Sequence, residues 1–200
     1  MKLYYTKSAC SLAVRIVLNE LGLDFQDEEV DLKAKKTRSD ENYLLINPKG
    51  AVPSLHLDNG DLLTENQVIL QYLADITPGQ KLLPPVGDLG RYHTLEWVNY
   101  IATELHKTVG MFFYPNLNEE TKSIFMPVIS ARLNYVNKRL ANGPYLMGKD
   151  FTLPDAYLFV IVRWAYYFKM DLSAYKHIEQ FMSIAAERPA VVTSLQQEKL

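Results

Sequence analysis

The sequence predicts an α/β domain followed by an all-helical domain, and three observations predict it. Residues 1–80 read strand, helix, strand, loop, strand, strand, helix. Turn-forming residues then gather as Pro78-Gly79, Pro84-Pro85, Gly87 and Gly90. Beyond them every apolar pattern has the helical period. The expected boundaries are 1–80 for the α/β domain, 81–90 for a linker and 91–200 for the helical domain.

Each element has a local cause. Residues 2–6 form a short aromatic run that reads as a strand, and 11–21 carry Ala13, Val17 and Leu21 at helical spacing with Gly22 as a stop. Residues 25–32 alternate weakly as a second strand. The polar stretch 33–40, with four basic residues, reads as loop or short helix. Over 52–63, Leu55 and Leu57 alternate with polar residues, Asp58-Asn59-Gly60 turns, and Leu62-Leu63 returns as the second arm of a hairpin. From Glu65, Val68, Ile69, Tyr72 and Leu73 define a helix that ends before Pro78. Further helices are expected near 91–108, 120–141, 154–168 and 178–186. Thr152-Leu153-Pro154-Asp155 opens the third of these with a capping-box variant that has Asp in place of Glu.

Composition narrows the function. With 200 residues, 48% of them apolar, the chain can bury a sizeable core. A formal charge of -2 gives no field that would hold phosphate or anionic lipid, so neither nucleic acid nor a membrane is an expected partner. The start MKLYYTKSAC lacks an apolar leader, and there is no apolar run of about eighteen residues, so a cytoplasmic location is expected. One cysteine and four scattered histidines lack metal-ligand spacing, and no metal is expected. Small molecules are the better class of partner.

The order βαβββα with a cysteine between the first strand and first helix is the layout of the thioredoxin fold. A thiol there faces unpaired N–H groups and the positive end of the helix dipole, which favour thiolate, so Cys10 is expected to titrate below the ~8.5 of a free cysteine. The residues after it, Ser11-Leu12-Ala13, provide no second cysteine, which excludes dithiol cycling and leaves mixed-disulfide formation or thiol activation. From position alone Cys10 is equally readable as a small buried hydrophobe. Ser11 reads either as a donor to a bound thiolate or as a helix cap.

Other residues carry similar pairs of readings. Val52-Pro53 fits a cis peptide that leaves the Val52 N–H and C=O unpaired for an extended peptide to dock on, or an ordinary edge proline. Glu65 and Asn66 open a helix where an amino-acid head group would find both charges met, or where simple capping suffices. Asn99, Thr103 and His106 share one helical face, solvated or ligand-facing, while Glu104 lies roughly 140° around from Asn99 and would serve another surface, such as a neighbouring subunit.

Taken in order, MKLYYTKSACSLAVRIVLNELGL, INPKGAVPSLHLDNGDLLTENQVILQYLAD, YHTLEWVNYIATELHK and FTLPDAYLF resemble the cytosolic glutathione S-transferases over the whole chain. The cysteine at the thiol-facing position resembles their bacterial beta class. This resemblance implies a thioredoxin-like domain and a helical domain, a homodimer, and an enzyme of detoxification that joins glutathione to small hydrophobic electrophiles, with thiol–disulfide exchange at Cys10. It implies Cys10 at the glutathione sulfur, with Ser11 and His106 as further catalytic candidates, and Val52 and Pro53 as the backbone clamp. Glu65 and Asn66 would form the γ-glutamyl pocket, Lys35 and His106 would meet the glycine carboxylate, and Asn99, Thr103 and Glu104 would close over the ligand. Asn66 and Ala51 depart from residues common among relatives at those places. Met111, Phe112, Phe113, Tyr114 and residues 164–168 would line the electrophile side, or simply serve as core. The alternative is a non-catalytic interaction protein on the same fold, like the stringent-starvation factors.

Overall fold

The computed structural model of the chain describes residues 1–77, 79 and 82–200. Pro78, before which the sixth element was expected to end, and Lys81, at the start of the expected linker, lie outside them. Two compact units are present: Met1–Gln80 with Arg188–Leu200, and Lys81–Glu187.

The first unit is built on β1 (Lys2–Tyr5), α1 (Ser11–Leu21), β2 (Gln26–Asp31), β3 (Lys36–Thr37), α2 (Tyr43–Ile46), β4 (Ser54–His56), β5 (Leu62–Thr64) and α3 (Asn66–Asp75). Its sheet runs β3-β2-β1-β4-β5, with β1 parallel to β2 and antiparallel to β4. The parallel pair requires a crossover, which α1 supplies. Gly22 ends α1 in the left-handed conformation, φ 65°, that glycine adopts at no steric cost. The stretch 33–40, expected as loop or helix, contributes the edge strand β3.

Alternation along β1 distributes the core between the two faces of the sheet. Tyr4 joins Val30, Val52 and Tyr43 of α2 in one buried cluster. Tyr5 points the other way, where the Arg15 guanidinium of α1 lies 4.3 Å from its ring centre. Leu12, Ala13, Val14, Ile16, Val17 and Leu18 of α1 are all fully buried, which at about 25 cal/mol per Å² of apolar surface makes α1 the main hydrophobic element of this unit.

The second unit comprises α4 (Leu89–Tyr100), a π-helical turn (Ile101–His106), α5 (Lys107–Gly110), a 3₁₀ turn (Met111–Phe113), α6 (Glu119–Leu140), α7 (Leu153–Tyr167) and α8 (Lys176–Ala186). The expected helix over 91–108 is therefore not uniform. Its middle widens into a π turn, so 3.6-residue spacing does not hold across Thr103, Glu104 and His106. The mostly apolar α7 is buried almost throughout.

One further helix, α9 (Pro189–Glu198), starts at a proline in its first turn, where the missing N–H costs nothing. The sequence reading ended its last expected helix near 186 and placed 188–200 in the helical domain. In the structure this segment packs with the first unit, because Arg188 pairs with Glu20 at 2.6 Å and Asn19 donates to Ser194 at 2.7 Å.

The capping-box variant at 152–155 is present. The Asp155 carboxylate is fully buried and accepts from the Thr152 N–H, the Thr152 hydroxyl and the Leu146 N–H, each at 2.8 Å. Asp155→Ala orphans two buried amides, and is expected to lower stability by about 2–3 kcal/mol in urea unfolding. A loss below about 0.5 kcal/mol, the usual range for a surface change, would contradict this role.

Candidate active site

The first unit brings Cys10, Ser11, Lys35, Val52, Pro53, Glu65 and Asn66 onto the loops and helix starts around β1 and β4. Cys10 immediately precedes α1, is 7% exposed, and donates its thiol to the Val52 carbonyl at 3.3 Å. The Val52–Pro53 peptide is cis, the first of the two readings open from the sequence. The expectation that both polar groups of Val52 are unpaired holds for its N–H among the described residues and fails for its C=O, which takes the Cys10 thiol. Donation to a carbonyl and burial favour the protonated thiol, while the first-turn amides favour thiolate, so the two influences oppose each other at one sulfur.

Ser11 is neither helix cap nor free donor. Its fully buried hydroxyl exchanges hydrogen bonds with the backbone N–H and C=O of Thr6, both at 3.3 Å, and so ties the turn before Cys10 to the end of β1.

The segment carrying Val52 is held by residues that sequence reasoning passed over. The buried Tyr43 hydroxyl donates to the Ala51 carbonyl at 2.8 Å and contacts the Ser54 hydroxyl at 2.8 Å, and the Asn47 amide donates to the same carbonyl at 2.8 Å. Burial raises the Tyr43 pKa, which keeps it a neutral donor. Lys35 also reaches this segment, donating to the Gly50 carbonyl at 2.7 Å. Gly50 sits at φ 59°, a left-handed conformation that glycine adopts without the strain of a side chain. The one signal available in the sequence was Asn47-Pro48, a turn dipeptide beside the clamp.

Glu65 sits at φ 70°, ψ 118°, unusual for a residue with a side chain, at the entrance to α3. Its carboxylate is half exposed and accepts from Lys49 at 2.6 Å, a partner the sequence did not suggest. Asn66 follows as the first residue of α3. It is 4% exposed, and neither its amide oxygen nor its amide nitrogen has a hydrogen-bond partner. Such a group costs roughly 1–3 kcal/mol unless something meets it.

The second unit carries the remaining candidates. Asn99 and Thr103 are exposed, with the Thr103 hydroxyl bonded back to the Asn99 carbonyl at 3.0 Å. Glu104 pairs with Arg132 of α6, whose Nε donates at 2.7 Å. His106 Nδ1 lies 2.5 Å from the Tyr157 hydroxyl, and its ring meets Trp164 edge-on at 4.9 Å. Burial, with help from the Lys107 ammonium, lowers the His106 pKa to about 4. His106 is therefore neutral at pH 7 and cannot meet a carboxylate as a cation. Beyond it, Phe113 packs against Trp164, Tyr167 and Phe168, with ring centres 5.0, 6.1 and 4.7 Å away. Phe113 and Tyr167 stay 51% and 72% exposed, so this stretch is an open aromatic surface as much as core.

Among the described residues no cluster of His, Cys, Asp or Glu could hold a metal, and no helix is long and apolar enough to cross a membrane.

A thioredoxin-like unit with a cysteine at the first helix and a cis-proline clamp, followed by a helical unit, defines a class of thiol-handling proteins. Comparison with known proteins makes the assignment. The family model for the glutathione S-transferase N-terminal domain matches residues 7–76, and that for the C-terminal domain matches 100–189. The chain is 48% identical to glutathione S-transferase GstA of Escherichia coli O157:H7 over 200 residues, the full length of both. A sphingomonad glutathione S-transferase, solved in complex with glutathione, superposes with a TM-score of 0.95 at 38% identity, covering 100% of both chains. A bacterial beta-class enzyme from Sphingomonas chungbukensis does so at 0.94 and 36%, covering 99% of this chain and 98% of its own. The chain belongs to the glutathione S-transferase family, and it is a glutathione-binding transferase.

The low pKa of His106 fixes the sign of one pH effect. An unfolded histidine gains its proton near 6.5 and folded His106 only near 4, so the unfolded state binds more protons in between. The stability His106 confers is complete above about pH 6.5, declines as pH falls toward 4 and is gone below it. Replacement by Asn is expected to flatten the decline in unfolding free energy between pH 6.5 and 4, read by urea unfolding at each pH, by an amount on the order of 3 kcal/mol. An identical pH profile in the variant would contradict a neutral His106.

Proposed function

We propose that this chain is a beta-class enzyme in which the glutathione cysteine lies extended along Val52, with its sulfur facing Cys10. The observation that carries this reading is the pairing of the Cys10 thiol with the Val52 carbonyl, beside a Val52 N–H that has no partner among the described residues. A peptide backbone laid against Val52 satisfies that N–H and brings its own thiol to the start of α1.

The remaining contacts follow from charge. Glu65 receives the γ-glutamyl ammonium, and the unpartnered Asn66 amide, with the first N–H groups of α3, receives the α-carboxylate. Lys35 supplies the positive charge for the glycine carboxylate, and neutral His106 a hydrogen bond. Asn99 and Thr103 contribute polar contacts, and the aromatic surface around Phe113 and Trp164 takes a small hydrophobic electrophile, consistent with detoxification in the cytoplasm. Ser11 supports the turn that presents Cys10.

Two reactions suit this site. In conjugation the glutathione thiolate attacks the electrophile, a carbon–sulfur bond forms, and the displaced group leaves or the product takes up a proton. In exchange the Cys10 thiolate attacks oxidised glutathione. The Cys10–glutathione disulfide forms as the glutathione disulfide breaks, and the released thiolate takes a proton. The alternative of a non-catalytic scaffold is not favoured, because a scaffold has no use for a clamp and an unpartnered head-group pocket.

Reduced glutathione at 100 times its dissociation constant is expected to add about 2.7 kcal/mol to stability. Glu65→Gln should weaken that binding about 10- to 100-fold, the cost of losing a charged hydrogen bond. Cys10→Ala should abolish the reducible glutathione adduct seen by whole-protein mass measurement while retaining part of the conjugation activity. A melting curve unmoved by glutathione sinks the reading, and an adduct that persists without Cys10 sinks its redox half.

The same reading includes a homodimer. Its support is an exposed strip on α4 and α6, with Tyr92, Ile124, Val128 and Tyr135 at the surface, beside the stacked Trp97–Tyr135 pair and the Glu104–Arg132 ion pair. Sedimentation at micromolar concentration is expected to give twice the 22.9 kDa chain mass; a species at the chain mass rules the dimer out.

A further inference from the structure

Cys10 ends a turn, residues 6–10, that contains Ser8 in the left-handed conformation at φ 59°. A residue with a side chain is strained in that conformation and persists there only where its surroundings impose it. The Ala9 N–H closes the turn onto the Thr6 carbonyl at 3.0 Å. A second hold comes from 190 residues away: Glu198 Oε2 of α9 accepts the Ser8 N–H at 2.9 Å.

Glu198 is fully buried, and its other oxygen accepts from Arg15 Nε at 3.1 Å. Arg15 is buried as well. It reaches Asp27 at 2.7 Å and Gln197 at 3.3 Å, and stacks on Tyr5. Burial raises the Glu198 pKa against the pull of the Ser8 amide and Arg15. Docking α9 on α1 does not need this arrangement, because Arg188–Glu20 at the start of α9 and Asn19–Ser194 within it already hold the two helices together. Buried ion pairs generally add little net stability over apolar residues of similar volume. The feature left to explain is the direction of the carboxylate, which is aimed at the backbone of the turn that presents Cys10.

We propose that Glu198 is a positioning residue for Cys10: its carboxylate, oriented by Arg15, holds the Ser8 amide and thereby fixes the turn that delivers the thiol to the start of α1. The proposal rests on the reading that Cys10 faces the glutathione sulfur, and it adds α9 to the machinery of that site.

The test compares two double variants that both remove the buried cation. Arg15→Met with Glu198→Gln keeps an oxygen acceptor for the Ser8 N–H, and Arg15→Met with Glu198→Leu removes it at similar volume. Iodoacetamide alkylation of Cys10 at fixed pH reads the turn without glutathione, so its outcome is separate from the Glu65→Gln binding test. The Gln variant is expected to alkylate within about twofold of wild type. The Leu variant is expected to alkylate about tenfold faster, a change equivalent to 1.4 kcal/mol, and to raise the KM for glutathione with the KM for the electrophile unmoved. Equal alkylation rates in the two variants overturn the proposal. Should either variant fail to fold, hydrogen exchange on the wild-type protein decides: a Ser8 amide as slow as the core of α1 supports the anchor, and one exchanging at the rate of an open loop overturns it.

Discussion

The site depends on one contact between two loops that are distant in sequence: the Cys10 thiol against the Val52 carbonyl at 3.3 Å. It requires the start of α1 to lie beside the segment leading into β4, and most of the first unit serves that requirement. The parallel pairing of β1 with β2 fixes where α1 begins. The antiparallel pairing of β1 with β4, Tyr4 opposite Ser54, brings Val52 to the same edge. Tyr43 and Asn47 then hold the Ala51 carbonyl, while the Val52 carbonyl receives the thiol and the Val52 N–H has no partner among the described residues.

Polar burial in this unit divides by purpose. Tyr43, Asn47, Ser54 and Ser11 are buried and each has its partner, which is the usual condition for a polar group inside a protein. Asn66 is buried with both amide atoms unpartnered, and Glu65 beside it has backbone angles that a side chain disfavours. Native folds retain such exceptions mainly where a ligand completes them, and these two residues adjoin each other at the start of α3. The second unit has its own exception in the π-helical turn at Ile101–His106. That turn carries three of the site candidates and breaks the regular helix there.

Much of this was legible in the sequence. Strand-period alternation over 52–63 and helix-period spacing over 11–21 gave their elements directly, because each element buries one face of one core. The capping box at 152–155 was legible because its chemistry is local. Three features were not. The stretch 33–40 becomes β3 through pairing with β2, a tertiary choice its polar residues do not announce. Pro189 reads equally as a break and as a first-turn residue, and only the contacts of Glu20, Asn19 and Arg15 show that α9 packs on α1. The π turn has no signature in residue type, so helical arithmetic over 99–106 assumes a regular helix that the chain does not have there. At the site, the residue types of Cys10, Val52-Pro53 and Glu65-Asn66 pointed to thiol-peptide chemistry. Their supports, Tyr43, Asn47, Lys49 and Glu198, act through partners between 8 and 190 residues away or through backbone carbonyls, and sequence spacing carries no trace of that.

The central claim is that glutathione binds by pairing its backbone with Val52. The most direct measurement is the Val52 amide resonance and its hydrogen exchange during a titration with reduced glutathione. The account predicts a saturable shift of that amide, together with slowed exchange that follows the occupancy of the site. A Val52 amide that neither shifts nor gains protection at concentrations that saturate turnover would contradict it.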